Sequence, residues 1–163
     1  MLSKRLSRQY GHKRKFLAII DETPECRRAV AYASRRAKNT GGRLILLYVI
    51  DSSEFQHFLG VGDIMRAESH EQARQTLSAI SDEVRENLGI ETETKICEGQ
   101  KAAEIVKLIE SDQDIAVLVL AAGSGAEGPG PLVQSIAAKG SAFPIPVTII
   151  PDGLSVEDID SVA

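Results

Sequence analysis

Two features of this sequence have the residue types and spacing to do chemistry together. Asp21 closes a short apolar run, KFLAII, and Gly123, Gly125, Gly128 and Gly130 break up the loop that follows a second run, Ile115 to Ala122. A carboxylate at the end of a strand is placed to grip a ribose hydroxyl. A glycine-rich link between strand and helix presents backbone N–H groups to an anion. Gly123, Ser124 and Ser135 are the best donors on that side. Each feature also has a plainer reading. Asp21 precedes Thr23-Pro24 and could cap a helix, and the glycines could only turn the corner. Asp51 ends another apolar run and could hold a magnesium ion near phosphates, although one carboxylate is a weak site.

Other chemistries find little support. His12, His57 and His70 stand at no metal-ligand spacing to one another or to a cysteine. No nucleophile elbow, no H-E-x-x-H and no catalytic-cysteine context occurs. Cys26 lies near the start of the first expected helix, where a thiol pKa can fall, but a small buried thiol is the plainer reading. With no general base in view, nucleotide hydrolysis is expected to be slow or absent.

The elements that would bring these residues together alternate regularly. Arg14 or Lys15 to Ile20 reads as a buried strand. Thr23 as N-cap and Pro24 at the first helical position start a helix that runs to about Lys38, with Ala29, Val30, Ala33 and Ala37 inward, and Gly41-Gly42 stops it. Leu44–Ile50 is a second continuous apolar run, the pattern of a strand covered on both faces. An irregular stretch with Phe55, Phe58, Leu59 and Val61 as apolar anchors leads to a long helix, Ile64–Leu88, ended by Gly89. Glu91–Cys97 alternates, as a half-exposed strand near a sheet edge does. A helix over Lys101–Ser111 precedes the strand and glycine loop. A helix over Pro131–Lys139, stopped by Gly140, and a short last strand, Val147–Ile150, complete the order.

Strand and helix alternate five times, which predicts one α/β domain: a doubly wound, five-stranded parallel sheet of order 3-2-1-4-5 in a three-layer sandwich. That order opens a crevice between strands 1 and 4 at their carboxyl ends. Asp21 and the glycine loop then stand on its two sides. The division expected is an N-terminal arm at 1–13, the α/β domain at 14–151 and an acidic tail at 152–163.

With 163 residues, a self-sufficient core is within reach. Aromatic residues make up 4% and Trp is absent, which argues against a base-stacking surface. The net charge is -4, yet Lys4, Arg5, Arg8, Lys13, Arg14 and Lys15 crowd the start without an acid among them. This basic stretch reads as a solvated arm, and the acidic body does not suit duplex binding. The tail carries Asp152, Glu157, Asp158 and Asp160 and no base. Two distant cysteines without CxxC spacing suit a reducing cytoplasm. No apolar run has transmembrane length, and no apolar segment follows the basic N-terminus as a secretory signal requires.

In order and spacing, these pieces resemble the universal stress protein family. KFLAIIDETPECRRAVAYASRRAKNTGGRLILLYVID is similar to that family's opening strand, helix and second strand ending in Val-x-Asp. ICEGQKAAEIVKLIE resembles its third strand, Glu-Gly turn and helix, DIAVLVLAAGSG its fourth strand, and PIPVTIIP its final strand. The resemblance spans roughly Lys15 to Pro151. It implies ATP or another adenine nucleotide, with Mg2+, as ligand. Asp21 would meet the ribose and adenine, the Val49 backbone the adenine, and the loop the phosphates. It also implies a homodimer paired through the last strand, Val147, Thr148, Ile149 and Ile150. The loop departs from the family pattern of G-x-x-G, nine residues, then G-S. Gly125 and Gly128 match its first half, but Ala138 and Lys139 stand where the second half belongs. Pro129 and Pro131 each lack an N–H, Glu127 would repel a phosphate, and no Lys or Arg lies between Lys107 and Lys139. Two readings follow. One is a stress-response protein with an adenine nucleotide as regulatory ligand. The other is a dimeric interaction module of the same fold that has lost the nucleotide. An adenylating enzyme lacks a visible nucleophile or loop lysine.

Overall fold

The computed structural model describes residues 3–57, 60–125, 128–139 and 142–163. Expectations attached to Phe58, Leu59, Glu127, Gly140 and Ser141 fall outside these residues. The strands are β1 (Lys15–Ile20), β2 (Arg43–Ile50), β3 (Thr92–Glu98), β4 (Ile115–Ala121) and β5 (Val147–Ile150). The helices are α1 (Cys26–Thr40), α2 (Gly62–Leu88), α3 (Lys101–Ser111), α4 (Pro131–Lys139) and α5 (Val156–Val162), with a 3-10 turn over Ser52–His57. All strand pairings are parallel, in the order β3-β2-β1-β4-β5. The doubly wound sheet expected from the alternation is therefore present.

Strand periodicity divides the core into two layers. Phe16, Ala18 and Ile20 of β1 join Leu44 and Leu46 of β2 under α1 and α2. Leu17, Ile19, Ile45, Leu47 and Val49 face the other way, onto Ile105 and Ile109 of α3 and Val133 and Ile136 of α4. Because helices cover both faces, β1 and β2 read as unbroken apolar runs. β3 lies at one edge with its middle residues exposed, and alternates accordingly.

Gly42 shows how tightly α1 is returned to the sheet. A Cβ there would stand 2.5 Å from the Arg14 carbonyl oxygen, so only glycine fits. At the same end of the sheet, Lys15 ties three segments. Its Nζ donates to Asp112 at 2.7 Å and Glu93 at 3.0 Å. Burial works against its charge, but these two carboxylates outweigh it and hold the ammonium pKa above its ordinary value.

Both termini are more ordered than their composition suggests. The acidic C-terminal stretch forms α5, started by a capping box: Ser155 Oγ accepts from the Asp158 N–H at 3.1 Å, and Asp158 accepts from the Ser155 N–H at 2.9 Å. Ile159 is fully buried against the α1 layer, and Arg35 of α1 pairs with Asp160. Glu157, Asp158 and Asp160 lie on a helix that buries one apolar residue, Ile159, while Val156 and Val162 stay exposed.

The N-terminal stretch, expected as a solvated arm, lies against the end of α3. The Leu6 N–H donates to the Gln113 carbonyl at 2.9 Å. Arg5 Nη1 donates to the carbonyls of Ile109 at 2.6 Å and of Asp112 and Ile115 at 3.3 Å. A guanidinium thus satisfies carbonyls at and beyond a helix C-terminus, where the helix dipole also favours a cation. Charge counting could not separate this use of an arginine from solvation. Arg5→Ala should lower stability by about 1–2 kcal/mol, or roughly 3–6 °C in melting temperature for a chain of this size. An unchanged melting temperature would return the arm to solvent.

Candidate functional site

At the carboxyl edge of the sheet, β1 and β4 separate. β1 ends at Ile20, paired with Tyr48 of β2, and β2 continues through Val49 and Ile50 past that last pairing. Beyond Tyr48 no β1 residue pairs with β2; Val49 turns its backbone toward that side, while the Ile50 carbonyl accepts from the Gly99 N–H at 2.9 Å on the β3 side. Two cavities meet there. One, of about 130 Å³, lies between β1 and β4 and is lined by Asp21, Glu25, Cys26, Lys101, Gly130 and Val133, among others. The second, of about 530 Å³, opens over the end of β2 and is lined by Val49, Asp51, Ser53, Gly99, Gln100 and Lys101, among others. Lys101 borders both.

Asp21 has two partners. Its Oδ1 accepts from the Thr23 N–H at 2.9 Å and also from the Thr23 hydroxyl. Its Oδ2 faces Lys101 Nζ at 3.6 Å. The side chain keeps 25% of its surface, enough for a further hydroxyl donor to reach it. Asp51 repeats the turn at the end of β2, taking the Ser53 N–H at 2.9 Å. Hydrogen bonds from Ser53 hold this exposed carboxyl below its ordinary pKa, and Lys101 adds to that. Each of the two central strands thus ends in an aspartate that closes its own turn.

This use of Asp21 alters the start of α1. Thr23 was expected as the N-cap with Pro24 at the first helical position. Instead Thr23 turns back to Asp21, and α1 starts at Cys26 after Glu25. Glu25 makes no side-chain cap on its own helix, and its carboxylate reaches across the crevice. A Cβ placed on Gly123 would stand 3.1 Å from Glu25 Oε1 and 3.7 Å from the Pro129 carbonyl oxygen.

The glycine loop is folded on itself. The Gly123 N–H donates to the Pro129 carbonyl at 3.0 Å, and the Gly128 N–H to the Gly125 carbonyl at 3.2 Å. Gly128 and Gly130 take φ of +97° and +104°, backbone that favours glycine. Of the expected site residues, Asp21 and Gly130 line the first cavity and Val49 the second. Gly123 lies beside Glu25. Ser124, Gly125 and Gly128 are exposed, and Ser135 is half-buried on α4 outside both linings. The nucleoside side of the expected ligand therefore has partners that fit it. On the polyphosphate side the Gly123 and Gly128 N–H groups are engaged within the loop, Pro129 and Pro131 have no N–H, and a carboxylate stands at Gly123. Among the described residues no group of three or more His, Cys, Asp or Glu could hold a metal ion.

Two residues of the site escaped the sequence reading, Lys101 and Glu25. A cation was sought only within the loop, between Lys107 and Lys139. Lys101 comes instead from the first position of α3, after the end of β3, at the same sheet edge. Its signal was present as Gly99-Gln100-Lys101, a strand-to-helix junction of the kind that carries Asp21. With Thr23 as N-cap, Glu25 would fall in the first turn of the helix; α1 starts instead at Cys26 and leaves Glu25 just before it.

Cys26 lines the crevice at 7% exposure, with its Sγ 3.6 Å from the Asp21 carbonyl oxygen. Burial pushes its thiol pKa up, and the Asp21 and Glu25 carboxylates disfavour the thiolate further, against smaller opposing contributions from the Asp21 backbone and Arg27. A thiol lowered by the helix start is not what forms.

A model of the universal stress protein family matches residues 13–151. No curated protein sequence matches the chain. Among solved structures, the universal stress protein UspA from Lactobacillus plantarum aligns at 19% identity and a TM-score of 0.70, covering 84% of this chain and 97% of that one. A universal stress protein from Archaeoglobus fulgidus in complex with dAMP aligns at 16% identity and a TM-score of 0.58, covering 92% and 99%. A universal stress protein in complex with cAMP aligns at 16% identity and a TM-score of 0.54, covering 84% and 95%. At these identities the likeness is one of fold.

The buried thiol gives a test of the crevice geometry. Alkylation of Cys26 at pH 7.5, followed by peptide mass mapping, should run about tenfold or more below a free thiol. It should accelerate only as pH rises above the ordinary thiol range, because the folded-state pKa is raised. Rapid modification at neutral pH would contradict the placement.

Proposed function

The chain belongs to the universal stress protein family, and on that premise we propose that its crevice binds an adenine nucleotide as a regulatory ligand in a stress response. The observation that carries this reading is Lys101, which lines both cavities and faces Asp21 at 3.6 Å beyond the ends of β1 and β2. Asp21 Oδ2 is the acceptor for a ribose hydroxyl. The Val49 backbone, past its last β1 pairing, offers hydrogen-bonding groups to the adenine edge. Lys101 supplies positive charge between the two, and Gly130 bounds the far wall. The complexes named for two structural neighbours, with dAMP and with cAMP, support an adenine ligand for this fold. The proposed setting is the cytoplasm, in keeping with two cysteines that are both free thiols.

The second reading, an interaction module without nucleotide, draws on the self-closed loop. A thermal shift assay separates the two. Binding at one hundred times the dissociation constant adds about 2.7 kcal/mol, on the order of 5–10 °C here. A shift of that size with at least one of adenosine, AMP or Mg-ATP, and its loss in Asp21→Asn, is expected. No shift with any of them, nor with GTP, at millimolar concentration would leave the interaction module.

The partner proposed is a second copy of the chain. β5 is an edge strand of four residues, and Ile149 keeps 43% of its surface exposed. Pairing Val147, Thr148, Ile149 and Ile150 antiparallel across a two-fold axis would cover that edge. Light scattering at micromolar concentration should give the mass of a dimer, and Ile149→Lys should return it to a monomer. A monomeric mass for the unmodified chain would refute the pairing.

A further inference from the structure

We propose that this crevice selects an adenine nucleoside or nucleoside monophosphate over the triphosphate, and that Glu25 enforces the selection. The inference rests on the adenine-nucleotide reading and narrows its ligand class.

Three observations on separate segments converge. Glu25 stands immediately before α1 without a side-chain cap hydrogen bond, and its Oε1 lies beside Gly123, at the point where the chain leaves β4. The loop then closes through its own N–H groups, from Gly123 to Pro129 and from Gly128 to Gly125, so binding a phosphate there would break bonds already made. Pro129 and Pro131 remove two further donors at the start of α4. The charge balance agrees. Asp21 and Glu25 are carboxylates on the lining, and Lys101 is the one base lining this cavity among the described residues. Arg28 of α1 donates from Nη2 to the Ala122 carbonyl at 2.9 Å, and its buried Nε has no partner among the described residues. A single phosphate next to the nucleoside stays within reach of Lys101. Added β- and γ-phosphates would extend toward Glu25 and a loop in which the Gly123 and Gly128 N–H groups are already engaged. Like charges at close range in a partly buried site repel strongly.

Glu25→Gln removes the charge and keeps the shape. Because Glu25 makes no cap hydrogen bond, the variant should keep its melting temperature. Calorimetric titration at fixed ionic strength with adenosine, AMP and Mg-ATP is the test. The unmodified chain should bind AMP at least about tenfold more tightly than Mg-ATP. In Glu25→Gln that ratio should shrink by about tenfold, the size expected for one nearby unit charge. Equal affinity of the unmodified chain for AMP and Mg-ATP overturns the selection. A ratio unchanged in Glu25→Gln overturns the role of Glu25. If adenosine, AMP and Mg-ATP all fail to bind, the adenine reading itself falls, and this inference with it. Binding of all three with no discrimination removes this inference alone.

Discussion

The Asp21 carboxylate is divided between two partners, and the site depends on that division. One oxygen closes the turn after β1 through Thr23; the other faces the Lys101 ammonium at 3.6 Å. The first contact fixes how α1 leaves the sheet and so delays its start to Cys26. That delay puts Glu25 before the helix, where its side chain is available to reach the glycine loop. The second contact links the start of α3 to the end of β1 through Lys101, the residue common to the linings of both cavities. A doubly wound sheet must open between β1 and β4, but the opening alone is only a gap. Asp21 gives the gap a polar wall with a remaining acceptor.

The loop on the other side obeys a different constraint. A buried or half-buried N–H must have a partner, and this loop supplies its own through the carbonyls of Pro129 and Gly125. Its glycines serve backbone of positive φ and the close approach of Glu25 rather than a cradle. The same composition that suggests phosphate binding therefore serves loop closure. Prolines make this economical, since each one removes a donor that would otherwise need an acceptor.

The fold was legible because each signal was local and repeated. Unbroken runs such as KFLAII and LILLYVI announced covered strands, ETETKIC announced an edge, and the alternation with helices left one sheet order to prefer. The site was legible where it lies at the ends of those runs, as for Asp21 and Val49. It was not legible where one side chain has two possible partners. Thr23 could cap a helix or bind Asp21, and only the three-dimensional path decides. Lys101 and Arg5 were hidden for the same reason. Their partners, Asp21 and the carbonyls of Ile109, Asp112 and Ile115, are tens of residues away in sequence. The acidic tail misled through composition, because a short capped helix with one buried isoleucine leaves little apolar pattern.

The central claim is that the ligand surface runs from Asp21 across Lys101 to the end of β2, and not along the glycine loop. Amide chemical-shift mapping during titration with AMP reads that surface directly. The account predicts the largest changes at Asp21, Val49, Ile50 and Lys101, with Ser124, Gly125 and Gly128 little affected. Changes concentrated at Ser124, Gly125 and Gly128, with Val49 and Lys101 unmoved, would contradict it.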